Sequence, residues 1–188
     1  MPVFYLWYRL MRLIILDRDG VINEDSDDYI KSPDEYIPIP GSLAAIARLN
    51  HAGYTVVVAS NQSGIGRGLF NWLALEAMHI KLVRLLSLED GNIDGFFICP
   101  HRPDENCQCR KPKTGLLEQI SEMYHMTLTG VPFIGDSLKD VQVAKAVGAR
   151  PILVKTGKGG DTVAKGEGLE DVPVYADLAA AVDALLEA

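Results

Sequence analysis

A rhythm in the chain constrains its fold more than any single residue does: short apolar runs recur, with helix-patterned stretches between them. The first run is Arg12–Leu16 (RLIIL), and others follow at residues 54–59 (YTVVVA), 95–99, 131–135 and 151–154. Runs this short and this continuously apolar suit strands covered on both faces. Between them, residues 42–52 carry Leu43, Ile46, Ala47 and Leu49 along one side and stop at Gly53, a good residue to end a helix. Residues 71–88, 114–124, 138–147 and 176–186 are expected to be helical in the same way. Strands alternating with helices predict a parallel sheet joined by right-handed crossovers, with helices on both faces. The expected class is therefore a three-layer, Rossmann-like α/β fold.

Ligands of such sheets sit beyond the carboxyl ends of the strands. The reactive residues of this chain fall there: Asp17 follows the first run, Ser60 the second, Cys99 closes the third and Asp136 follows the fourth. Residues 23–40 are acidic and turn-rich, as expected of a flap near the site. Residues 155–173 hold five glycines and read as a mobile loop.

Composition narrows the function. With 188 residues and 48% hydrophobic, the chain can bury a core of its own, and residues 12–188 are expected to form one domain. A formal net charge of −7 disfavours nucleic acid and anionic membranes as partners. No apolar run is long enough to span a bilayer. Residues 1–11 include Phe4, Tyr5, Leu6, Trp7 and Tyr8 but lack the basic start and cleavage site of a signal peptide. They are expected to be an extension outside the fold, and the protein a cytoplasmic monomer with reduced cysteines.

The motif Asp17-Arg18-Asp19-Gly20-Val21-Ile22-Asn23 is the sharpest chemical signal. Two carboxylates at ~4 Å repel by roughly 4 kcal/mol at an effective dielectric of 20. A hard cation removes that cost, and Mg²⁺ prefers carboxylate oxygens and substrate phosphate. A solvated surface turn is the plainer reading of such a pair standing alone. Ser60-Asn61-Gln62 offers a hydroxyl and amides to a phosphoryl oxygen, and Arg110-Lys111 offers two cations. Asp136 in Gly135-Asp136-Ser137-Leu138-Lys139-Asp140 can complete a metal site or cap the next helix.

The order Asp17, Ser60, Lys111, Asp136 resembles the haloacid dehalogenase-like phosphatase superfamily over essentially residues 13–154. That resemblance implies that Asp17 is the nucleophile and Asp19 the general acid and base. It also implies Mg²⁺ held by Asp17, the Asp19 backbone carbonyl and Asp136. Ser60 and Lys111 would grip the phosphoryl oxygens, and Asp140 would orient from behind. The intervals between motifs leave no room for a large cap domain.

All three cysteines lie in one window, with a histidine among them: Cys99, His101, Cys107 and Cys109. C-x-H-x5-C-x-C supplies the Cys₃His set of a closed structural zinc site, which would shape the loop presenting Arg110 and Lys111. Unrelated reduced thiols and a disulfide are the alternatives. Joined to DRDGVIN and SNQSGIGRG, this loop is similar to that of the heptose bisphosphate phosphatases and the related histidinol-phosphate phosphatases. The heptose family implies a small phosphorylated sugar as substrate, on the route to surface glycans. It also implies contacts from Asp25, Asp28, Tyr29, Ser60, Asn61, Gln62, Ser63, Arg110 and Lys111. Histidinol phosphate is the second reading. The series Gly64, Gly66, Gly68 is expected to be loop flexibility.

Overall fold

The computed structural model describes residues 11–187; the expected extension over residues 1–11 thus lies, Met11 excepted, outside the described residues. The strands are β1 (Arg12–Leu16), β2 (Tyr54–Asn61), β3 (Gly95–Cys99), β4 (Pro132–Gly135), β5 (Arg150–Val154) and β6 (Val174–Tyr175). They form one parallel sheet in the order β3-β2-β1-β4-β5-β6. The helices are α1 (Ser42–His51), α2 (Ser63–Gly66), α3 (Trp72–Ser87), α4 (Gly115–Met123), α5 (Leu138–Ala146), α6 (Gly159–Lys165) and α7 (Leu178–Glu187). This is the three-layer architecture that the alternating pattern predicts, with no large cap.

Strand alternation sorts β1 onto two cores. Ile14 and Leu16 join Ile46 and Leu49 of α1, Met78 and Leu82 of α3, and Val182 of α7. Leu13 and Ile15 join Leu117 and Ile120 of α4 and Val143 of α5 on the opposite face. Each large side chain so buried contributes about 1.5–3 kcal/mol relative to exposure. Chain order reverses at β1, which has β2 on one side and β4 on the other, so the crevice opens where both strands end. The Asp17 backbone N–H donates to the Ile134 carbonyl at 2.9 Å, tying the two strand ends together.

Several boundaries differ from expectation for local reasons. β2 runs on through Ser60 and Asn61 because both pair with β3, opposite Ile98 and Cys99. Ser60 therefore lies inside the strand rather than after it. α7 starts later than expected because Asp177 Oδ1 accepts the Ala180 N–H at 2.8 Å, an N-terminal cap. Residues 155–173 are not simply a mobile loop: they contain α6, whose Gly159 is required because a Cβ there would strike the Val154 carbonyl. Two glycines of the 64–68 series, Gly64 and Gly66, also have another purpose. A Cβ at Gly64 would collide with Phe70 and one at Gly66 would lie 2.7 Å from the Pro100 carbonyl, so close packing of α2 demands them. Among the described residues no helix is long and apolar enough to cross a membrane.

Candidate active site

The strand ends converge on a cavity of about 240 Å³ lined by Asp17, Asp19, Ser60, Lys111 and Asp136 among others. Asp17 leaves β1 with both oxygens engaged. Its Oδ1 accepts the Arg18 backbone N–H at 2.7 Å and its Oδ2 meets Lys111 Nζ at 2.9 Å. The same ammonium lies 2.6 Å from Asp140 Oδ1, and Lys111 is buried. Burial opposes its charge, but Asp140 and then Asp17 outweigh burial and hold Lys111 above the ordinary lysine range.

Asp136 follows β4 but does not cap α5. Ser137 is the capping residue, and Asp140 completes a reciprocal capping box, accepting from the Ser137 N–H at 3.0 Å and hydroxyl at 2.6 Å. Asp140 thus anchors the helix start with one oxygen and Lys111 with the other. Asp136 is freed to face Asp17, and oxygens of Asp17, Asp136 and Asp140 all lie within 4.8 Å of one another. Among the described residues, the Asp136 carboxylate accepts a single hydrogen bond, from the Lys158 backbone N–H at 2.7 Å. Burial, then the neighbouring Asp17 and Asp140, pushes Asp136 up to about 8. Burial likewise raises Asp17 to about 6, against the pull of Lys111.

These oxygens fit a hard divalent cation. One lysine serves two of the three carboxylates, Asp17 and Asp140, and among the described residues no cation pairs with Asp136, which leaves a surplus of negative charge there. Backbone crowds close around it: Gly20 has φ +78°, and a Cβ at Gly20 or Gly157 would run into Asp136 Oδ2.

Asp19 is held differently. Its oxygens accept from Arg18 Nε and Nη2, Asn23 Nδ2 and Gln62 Nε2 at 2.7–3.0 Å. Burial alone would raise Asp19, but Arg18 and then the Asn23 and Gln62 hydrogen bonds hold it below the usual carboxylate range.

The second strand end serves the catalytic loop. Asn61 clasps the Lys111 backbone, donating to its carbonyl at 3.1 Å and accepting its N–H at 3.0 Å. The Gln62 amide also donates to the Ser60 hydroxyl at 2.9 Å. Asn61, Gln62, Ser63 and Arg110 line the cavity, as do Asp25 and Tyr29 from the flap. Asp28 does not. A turn in which its N–H donates to Ser26 Oγ at 3.1 Å leaves Asp28 exposed, and Ser26 and Asp27 line the cavity instead. The flap is anchored rather than loose, with Tyr36 fully buried. Lys139 and Lys158 also face the cavity, and Lys158 reaches Asp25 and Asp27 at 3.5 and 3.4 Å. Sequence reasoning missed these two lysines and Arg18. An arginine between two acids at a strand end was the available signal for Arg18.

The third strand end carries sulfur. Cys99 Sγ lies 3.6 Å from both His101 Nδ1 and Cys107 Sγ, Cys109 Sγ 3.3 Å from His101 Nδ1 and 3.5 Å from Cys107 Sγ. Tetrahedral zinc with ~2.3 Å Zn–S and ~2.0 Å Zn–N bonds sets its ligand atoms about 3.5–3.8 Å apart, close to this spacing. Burial pushes the Cys99 thiol up, a cost that a bound cation would remove.

Comparison with known proteins agrees with this picture. Residues 108–181 match a family model described as HAD-hydrolase-like. The chain is 54% identical over 175 residues to a D-glycero-beta-D-manno-heptose-1,7-bisphosphate 7-phosphatase of Pseudomonas aeruginosa, covering 93% of this chain and 98% of that one. The enzyme of the same name from Escherichia coli K12 is 37% identical, with 77% and 80% covered. A crystal structure of the D,D-heptose 1,7-bisphosphate phosphatase of Bordetella bronchiseptica, complexed with magnesium and phosphate, superposes with a TM-score of 0.92. It is 52% identical and covers 94% of this chain and 99% of that one.

Proposed function

The chain belongs to the D-glycero-beta-D-manno-heptose-1,7-bisphosphate 7-phosphatase family of HAD-like hydrolases, and from that premise we propose how its own residues remove the 7-phosphate. The protein is a phosphoric monoester hydrolase acting on a heptose 1,7-bisphosphate, with the beta anomer as the preferred form. Residues 12–188 act as one phosphatase domain. The product feeds nucleotide-activated heptose for lipopolysaccharide or other surface glycans. The observation that carries the site is the trio Asp17, Asp136 and Asp140, which converges beyond β1 and β4 with one buried lysine bridging Asp17 and Asp140 and none reaching Asp136.

Asp17 attacks phosphorus with a carboxylate oxygen while the C7 oxygen of the sugar leaves. Asp19, lining the same cavity, gives that oxygen its proton. Lys111 and the Ser60 hydroxyl hold the phosphoryl oxygens. Asp19 then takes a proton from water, whose oxygen attacks the phosphoaspartate and releases phosphate and free Asp17. Asp17, the Asp19 carbonyl and Asp136 would hold Mg²⁺, which when bound neutralises carboxylate and phosphoryl charge. Cys99, His101, Cys107 and Cys109 would hold a structural Zn²⁺ that keeps the Arg110–Lys111 loop in shape. Arg110 and the flap residues Asp25 and Tyr29 contact the sugar and its second phosphate.

A phosphate-release screen over the two heptose bisphosphate anomers, sugar monophosphates and histidinol phosphate tests the assignment. The beta bisphosphate is expected to show the highest kcat/KM. A higher value for histidinol phosphate would reverse it.

A further inference from the structure

Arg18, between the two acids of the Asp17–Asn23 motif, has no part in the reaction above, yet it is among the largest fully buried side chains of the described residues. Burying a guanidinium costs several kcal/mol unless a charge answers it. Among the described residues its one ion pair is with Asp19. The contact is a two-sided fork: Nε and Nη2 meet Oδ1 at 3.0 and 2.8 Å, and Nη2 meets Oδ2 at 3.0 Å. Gln62 locks the fork from the second strand, accepting from Arg18 Nη2 at 3.1 Å while donating to Asp19 Oδ2 at 2.7 Å. From the far side the guanidinium lies 5.9 Å from the centre of the Tyr36 ring. Asp19, Arg18 and Gln62 therefore close a ring of hydrogen bonds that fixes both the position and the plane of the Asp19 carboxylate. One edge of that carboxylate still faces the cavity, its side chain 21% exposed.

We propose that Arg18, braced by Gln62, is a positioning residue that fixes where Asp19 delivers and collects its proton. The proposal rests on the reading of Asp19 as the acid and base. A point charge in place of the fork leaves the buried charge answered but frees the carboxylate to rotate, and misplacement by about 1 Å costs on the order of 10²-fold in rate.

The test is steady-state kinetics of Arg18→Lys, Asp19→Asn and the double variant, each loaded with Mg²⁺, on the heptose bisphosphate and on 4-nitrophenyl phosphate. The aryl ester has a leaving oxygen that departs without a proton, and kcat/KM reports only events up to that departure. Arg18→Lys is expected to lower kcat for the bisphosphate on the order of 10²-fold with KM little changed, while kcat/KM for the aryl ester holds. The double variant is expected to be no slower than Asp19→Asn alone, since Arg18 acts through Asp19. Equal losses on both esters, or losses that multiply in the double variant, would overturn the proposal. So would wild-type kcat in Arg18→Lys beside an inactive Asp19→Asn. Full activity in Asp19→Asn would instead remove the acid–base reading itself. Melting temperatures accompany each variant. If Arg18→Lys does not fold, Arg18→Gln, which keeps an amide donor toward Asp19, carries the same two-ester comparison with the same expected split.

Discussion

Two clusters of potential metal ligands stand at neighbouring strand ends, and they are built to opposite specifications. The sulfur cluster beyond β3 gathers three thiols and an imidazole, each within 4.8 Å of the others, on a loop held to itself. Four protein donors close a tetrahedron and leave no position for a substrate. The carboxylate cluster between β1 and β4 gathers hard oxygens that outnumber their one lysine and border a cavity. Its charge is left incomplete, and in the proposed reaction a cation and a phosphate would complete it. The difference is the one expected between a site that shapes a loop and a site that does chemistry. Lys111 joins them, leaving the sulfur loop at one end and gripping Asp17 and Asp140 at the other.

Replacing Asp17 by Asn tests the division most severely. Turnover is expected to fall on the order of 10⁴-fold or more, because no other group can form the covalent intermediate. The melting temperature is expected to hold or rise, since one of three crowded carboxylates loses its charge and Lys111 keeps Asp140. A variant that folds normally and retains activity would dissolve the distinction between the clusters.

Cys107→Ser attacks the other region. Bound zinc, measured by metal analysis, is expected to fall, with kcat/KM down roughly 10- to 100-fold as Arg110 and Lys111 lose their support. Hydrogen exchange is expected to quicken in the loop while β1 and β4 stay protected. Wild-type protein without zinc would show that the sulfur cluster is held by its own hydrogen bonds.

The smallest expected effect is the pH dependence that the two crowded carboxylates give to magnesium binding. Asp17 and Asp136, raised from 3.8 to about 6 and about 8, bind protons more tightly folded than unfolded. Without metal, their contribution to stability therefore falls as pH rises from about 4 through 8. Bound magnesium would answer both buried, crowded carboxylates in their charged form, so its stabilisation is expected to be larger at pH 8 than at pH 5, by roughly 2–6 °C in melting temperature. Thermal melts with magnesium and with chelator measure this. Equal gains at both pH values would place the ion elsewhere.

Periodicity made the sheet and its main helices legible, because burial on two faces imposes a continuous apolar run and one-sided burial imposes a helical one. The strand-end rule likewise singled out Asp17, Ser60, Cys99 and Asp136 from the sequence. Short elements were not legible. β6 has two residues, and α6 hides among glycines that exist to fit against Val154 and Asp136. Asp28 lies outside the cavity lining, in a turn where its N–H meets the Ser26 hydroxyl, and nothing local in the sequence marks that.

The sequence alone determined the α/β class and set Asp17 beside Asp19 and the three cysteines beside His101, since each is written in residues close together in the chain or in a repeating pattern. The tertiary structure decided which charge answers which. Arg18 pairs with Asp19, Lys111 bridges Asp17 and Asp140, and Asp136 is left without a cation. Those choices depend on distances between strand ends far apart in the chain, and on burial that makes each unpaired charge costly, so no local pattern encodes them.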